Sequence, residues 1–97
     1  MHVGLCRITF RLPESHSIKG KRRIAQSVIT RLHHRFNVSI AEVAENDIRR
    51  TLTLGIACVS NDPRHADEIL ASVINTVREM RLDLELVDLC TEIMPGL

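Results

Sequence analysis

A chain of 97 residues, 44% apolar and 26% charged, has the composition of a single globular domain with one modest core, and excludes a disordered polymer. Its longest apolar runs are a few residues, far short of the ~20 that a membrane-spanning helix needs. The first residues alternate as a strand does and lack the charged-then-apolar build of an export signal, so the cytoplasm is the expected address.

The formal net charge is only +1, but it is unevenly divided. Residues 1–36 carry eight Lys/Arg against the single acid Glu14, and residues 37–97 carry five against eleven acids, so +7 faces −6. Such asymmetry points to an electrostatic partner.

In chain order, residues 2–12 alternate, with Cys6, Ile8, Phe10 and Leu12 on one side and Arg7, Thr9 and Arg11 on the other. This is a strand with one buried face, ended by Pro13. Residues 17–36 follow a helical period: Ile18, Ala25, Val28, Ile29, Leu32 and Phe36 form one stripe, and Ser15 or Ser17 supplies the N-cap. The segment contains no acid. Lys19, Arg22, Arg23, Gln26, Thr30, His33 and His34 fan across its opposite face, with Arg31 further round.

Residues 37–45 read as a short strand through Val38, Ile40 and Val43, followed by a loop at Glu45-Asn46-Asp47. Residues 50–60 alternate again, with Leu52, Leu54, Ile56 and Cys58 inward. Asp62-Pro63 is a helix start, the acid capping and the proline at the first helical position. That helix is expected to run to about Arg81, burying Ala66, Ile69, Leu70, Val73, Val77 and Met80. A last strand is expected over 83–90, followed by a tail.

The order β-α-β-β-α-β predicts an α+β, ferredoxin-like sandwich over residues 1–97: a four-stranded antiparallel sheet in the order 4-1-3-2, with two helices on one face.

Several segments also resemble a known family. Ser17-Ile18-Lys19-Gly20-Lys21-Arg22-Arg23, Arg31-Leu32, Phe36 to Val43 and Leu54 to Asp62 are similar to the YlxP family of small uncharacterised bacterial proteins. The resemblance implies a ferredoxin-like fold. Members are often encoded beside genes for translation initiation and ribosome maturation, which implies a link to RNA or the ribosome. Gly20 departs from the pattern, and at an early helical position costs about 0.5–1 kcal/mol relative to Ala.

The basic helix is the first candidate site: Lys19, Lys21, Arg22, Arg23, Arg31 and Arg35 are expected to bind nucleic acid or another anion. The bland reading is a solvated charged face. Against it stand the missing i,i+4 acids and the position of the first four bases, where the helix dipole disfavours positive charge. Bases held there make sense if an anion joins them at the free N–H groups. The only aromatics, Phe10 and Phe36, fall on core faces, so stacked single-stranded bases are disfavoured and phosphates of structured RNA are the expected ligand.

The second candidate is the outer face of the sheet. The expected strand order gathers Val3, Leu5, Ala57, Val59, Val87 and Leu89 at one end, a patch suited to a homodimer, the bland reading being partial cover by the tail.

Other chemistry has little support. Cys6, Cys58 and Cys90 are far apart and read as reduced core thiols. His33 and His34 diverge by 100° on a helix, and His2, His16 and His65 lack ligand spacing, so neither a metal nor another cofactor is expected. Ser15-His16-Ser17 is the only Ser/His cluster and reads as a turn. The expected function is therefore a non-enzymatic accessory factor for RNA or the ribosome. The alternative is a ferredoxin-like small enzyme or metabolite-sensing module with an anion site at the start of the first helix. A phosphate cradle there lacks glycine and carries Glu14, of the wrong sign.

Overall fold

The computed structural model describes residues 1–13, 18–43, 50–80 and 83–97, apart from the side chain of Ile18. The proposed caps Ser15 and Ser17, the Ser15-His16-Ser17 cluster and the Glu45-Asn46-Asp47 loop lie outside them. The elements are β1 (His2–Arg11), α1 (Ile18–Arg35), β2 (Ser39–Glu42), β3 (Thr51–Ser60), α2 (Pro63–Glu79) and β4 (Glu85–Pro95). They build one antiparallel sheet, β2-β3-β1-β4, the expected order read from its other edge.

The two long central strands align residue for residue, from His2 opposite Ser60 to Arg11 opposite Thr51. Their alternation assigns the faces. Cys6, Ile8 and Phe10 of β1 and Leu52, Leu54, Ile56 and Cys58 of β3 are buried, as expected. The helices cover that face with Ala25, Val28 and Leu32 from α1 and Ala66, Leu70, Val73 and Val77 from α2. Burying one face and leaving the other open is what alternating apolar and polar residues specify in an antiparallel sheet.

Helix α2 starts as its sequence directs. Asp62 is in an extended conformation, and its Oδ1 accepts the Arg64 N–H at 2.9 Å, with Pro63 in the first turn. It stops at Glu79, where the Met80 N–H reaches back to the Thr76 and Val77 carbonyls.

Two expectations about strands need correction. The first concerns β2, which spans only Ser39–Glu42 rather than 37–45, although the Val43 N–H still bonds the Thr53 carbonyl at 3.0 Å.

The second concerns β4, which runs to Pro95 instead of ending at residue 90 and pairs with β1 over its whole length. It also contains a bulge: Thr9 opposes Asp88 while Phe10 opposes Leu86, so Val87 is the extra residue. The extra residue reverses the facing on one side of it. Leu89 lies opposite buried Ile8 and packs on the core, so it is not on the outer face. Val87 is exposed but sits beside the Thr9 end of β1, far from Val3.

Candidate nucleic-acid interface

Helix α1 has no acid anywhere between Ile18 and Arg35, and its last turn adds His33, His34 and Arg35. Its apolar stripe faces the sheet, leaving Lys19, Arg22, Arg23 and Arg31 exposed together with both histidines. Arg22 and Arg23 start a basic track that Arg31 continues about 12–14 Å further down the helix and Arg35 about 18–20 Å, at 1.5 Å per residue. Among the described residues, no carboxylate lies within ion-pair distance of Lys19, Arg22, Arg23 or Arg31. Arg35 stands off the centre of this face, its guanidinium 5.7 Å over the ring of Phe36.

Lys21 does not join the track. It is only 7% exposed, and its ammonium lies 3.5 Å from Glu42 Oε1 on β2. On a helix, position 21 falls on the stripe of Ala25, Val28 and Leu32, so its stem is drawn to the sheet and its charge meets the edge-strand acid.

The bases on the sheet are neutralised locally. Arg7 lies 3.8 Å from Asp88 and Arg11 3.4 Å from Glu85, cross-strand pairs between β1 and β4 on the outer face. Exposed pairs of this kind contribute little stability, but they cancel the positive field there. The molecule is thus polarised: α1, beside β2, carries the excess positive charge, and β4 at the opposite edge carries Glu85, Asp88 and Glu92 with no base.

On the outer face, Val3 and Val59 pair across β1 and β3, and Leu5 pairs with Ala57 one row further in. Val59 is 64% exposed and Leu5 37%. These four expected residues do come together. Met94, which pairs with Val3, takes the place expected for Val87 and Leu89. Only the extension of β4 brings Met94 there. Val43, also not anticipated, is exposed and bends over Gly55, where a Cβ would lie 2.7 Å from Val43 Cγ1. Between Val43 and Leu5 lies a shallow apolar concavity of about 320 Å³, floored by Ala41, Gly55 and Ala57.

Of the thiols, Cys6 and Cys58 are buried, whereas Cys90, expected in the core, is exposed opposite Arg7. Burial pushes the Cys6 thiol up to about 11, and nearby Cys90 adds to the effect. Burial also raises Cys58, partly offset by the Gly4 backbone. Among the described residues, no three His, Cys, Asp or Glu side chains cluster as metal ligands. No described helix is long and apolar enough to cross a membrane.

Comparison with known proteins gives three results. A family model described as "Protein of unknown function (DUF503)" matches residues 3–91. The uncharacterized protein YlxP of Bacillus subtilis (strain 168) is 29% identical over 91 residues, covering 94% of this chain and 88% of that protein. A solved structure, a dimeric ferredoxin-like protein of unknown function from Thermobifida fusca YX, is 10% identical with a TM-score of 0.42, covering 95% of this chain and 90% of that one.

Proposed function

The chain belongs to the DUF503 family of proteins of unknown function, and for this member we propose a non-enzymatic, cytoplasmic accessory factor that grips phosphates of structured RNA, on the ribosome or its precursors, through the exposed face of α1. The observation that carries the reading is the contrast between two sets of bases. Arg7 and Arg11 are matched with acids, as a solvated surface favours. Lys19, Arg22, Arg23 and Arg31 have no ion-pair partner among the described residues and lie on a helix without a single acid. Unmatched bases in a row repel one another, which an anionic partner would relieve.

The length of the track favours a polymer over a small anion. One phosphate would occupy the first turn, whereas bases continue to Arg31, about 12–14 Å from Arg22 and Arg23, and to Arg35, about 18–20 Å from them. Backbone contact is favoured over base stacking, since Phe10 is buried and Phe36 is half-buried under Arg35. The open apolar end of the sheet supports self-association as a homodimer within the same reading.

Co-sedimentation with ribosomal subunits over a salt series tests the proposal. Binding that weakens steadily with salt supports it. Absence of binding even at low salt, with the protein folded, removes it.

A further inference from the structure

Resting on the RNA reading above, we infer that α1 lies across the shallow minor groove of double-helical RNA, with one basic group on the phosphates of each strand and the uncharged middle of the helix over the 2′-hydroxyls between them. The charges on the exposed face are not evenly spread. Lys19, Arg22 and Arg23 occupy its first turns, and Arg31, His33 and His34 its last. From Ile24 to Thr30 there is no charged residue, and Arg23 and Arg31 stand about 12 Å apart along the axis at 1.5 Å per residue. A helix that followed a single line of phosphates would gain from bases in that stretch. Two basic groups with a neutral gap match two strands with a groove between them.

The gap is polar. Gln26 and Thr30 are exposed there and fall within the ~120° arc of the helix that runs from Arg22 to His34, at about 100° per residue. Among the described residues neither side chain is held by a hydrogen bond, whereas the Thr76 hydroxyl of α2 donates to the Ser72 carbonyl at 2.8 Å. An amide and a hydroxyl can both donate and accept, as a 2′-hydroxyl does. The middle of the helix therefore presents what the floor of an RNA minor groove can bond and a DNA duplex cannot.

Shape makes the same selection. α1 packs beside α2 in one layer over the sheet. Two helices side by side are about 20 Å wide, too broad to enter the ~12 Å major groove of a DNA duplex. α2 also carries exposed Asp67 and Glu68, which a deeper approach would press towards phosphates. A wide, shallow groove admits the ridge of α1 and keeps α2 clear, and A-form RNA offers one on its minor-groove side.

Titration with a short RNA duplex, the DNA duplex of the same sequence and one RNA strand alone, at one low salt concentration, tests this. Wild type should bind the RNA duplex at least about tenfold more tightly than either of the others. Gln26→Ala with Thr30→Ala removes no charge and raises helix propensity, so the fold should stand with an unchanged circular dichroism spectrum. That variant should lose about tenfold on the RNA duplex and little on the DNA duplex, with the salt slope unchanged. Equal affinity for the two duplexes, tighter binding of the single strand, or a double variant that keeps full discrimination overturns this placement while phosphate binding by α1 stands. Binding to none of the three overturns the RNA reading with it.

Discussion

The ammonium of Lys21, on the first turns of α1, lies 3.5 Å from the carboxylate of Glu42, on the four-residue edge strand β2. The pair divides the basic cluster at the start of the helix. Lys21 points inward and fastens α1 to the sheet edge, while Lys19, Arg22 and Arg23 point out. The helix that presents the basic track is thus held by one member of the same run of bases.

This arrangement predicts unequal costs. Glu42→Ala removes the carboxylate that lies 3.5 Å from the largely buried Lys21 ammonium and should destabilise the fold by about 1–3 kcal/mol. Lys21→Met keeps the apolar stem and frees a half-exposed acid to water, so it should cost less. The double substitution should cost less than the sum of the singles. Urea denaturation of the four proteins gives this coupling directly, and strict additivity would show that the contact contributes nothing.

Glycine predictions separate core from surface. A Cβ on Gly4 would lie 2.8 Å from Cys58 Sγ and 3.1 Å from Leu70 Cδ1, both in the packed core. Gly4→Ala should therefore cost about 1–3 kcal/mol, and Cys58→Ala should restore part of it. A Cβ on Gly55 meets only Val43, a single exposed side chain rather than packed core atoms, so Gly55→Ala should cost less. Thermal melts of the three variants check the order.

The thiols predict both a labelling pattern and a pH dependence. One cysteine of three, Cys90, should react with a thiol reagent in the native protein, and Cys6 and Cys58 only on unfolding. The folded state holds Cys6 protonated up to about 11, above its ordinary 9.0. Its contribution is fully present below pH 9 and is lost as the pH rises towards 11, at up to ~1.4 kcal/mol per pH unit. Denaturation midpoints should fall over that window, and Cys6→Ala should flatten the fall.

Much of the fold was legible because β1, β3 and α2 carry unambiguous periods. The alternation of Cys6, Ile8 and Phe10 against Arg7, Thr9 and Arg11, and the Asp62-Pro63 start, each allow one reading. The extension of β4 was not legible, since Thr91 and Glu92 are polar on both sides and Pro95 reads as a terminator. An edge strand tolerates all three, because one of its sides needs no partner. The bulge at Val87 is invisible in the sequence, as it depends on register with Thr9 and Phe10, and it alone turned Leu89 inward. The track on α1 was legible from its missing acids. The departure of Lys21 was not, because a buried base is explained only by the acid that tertiary structure brings to it.

The central claim is that the exposed bases of α1 bind RNA phosphates, and a titration on structured ribosomal RNA fragments at several salt concentrations tests it most directly. Lys19, Arg22, Arg23 and Arg31 together should neutralise about four phosphates, giving a slope of log affinity against log salt of roughly −3. Arg22→Glu with Arg23→Glu should keep the fold, weaken binding at least about tenfold on different RNA sequences alike, and make the slope shallower by about 1.5–2. Unchanged affinity and slope in the folded double variant would contradict the account and leave the basic face of α1 as solvated surface.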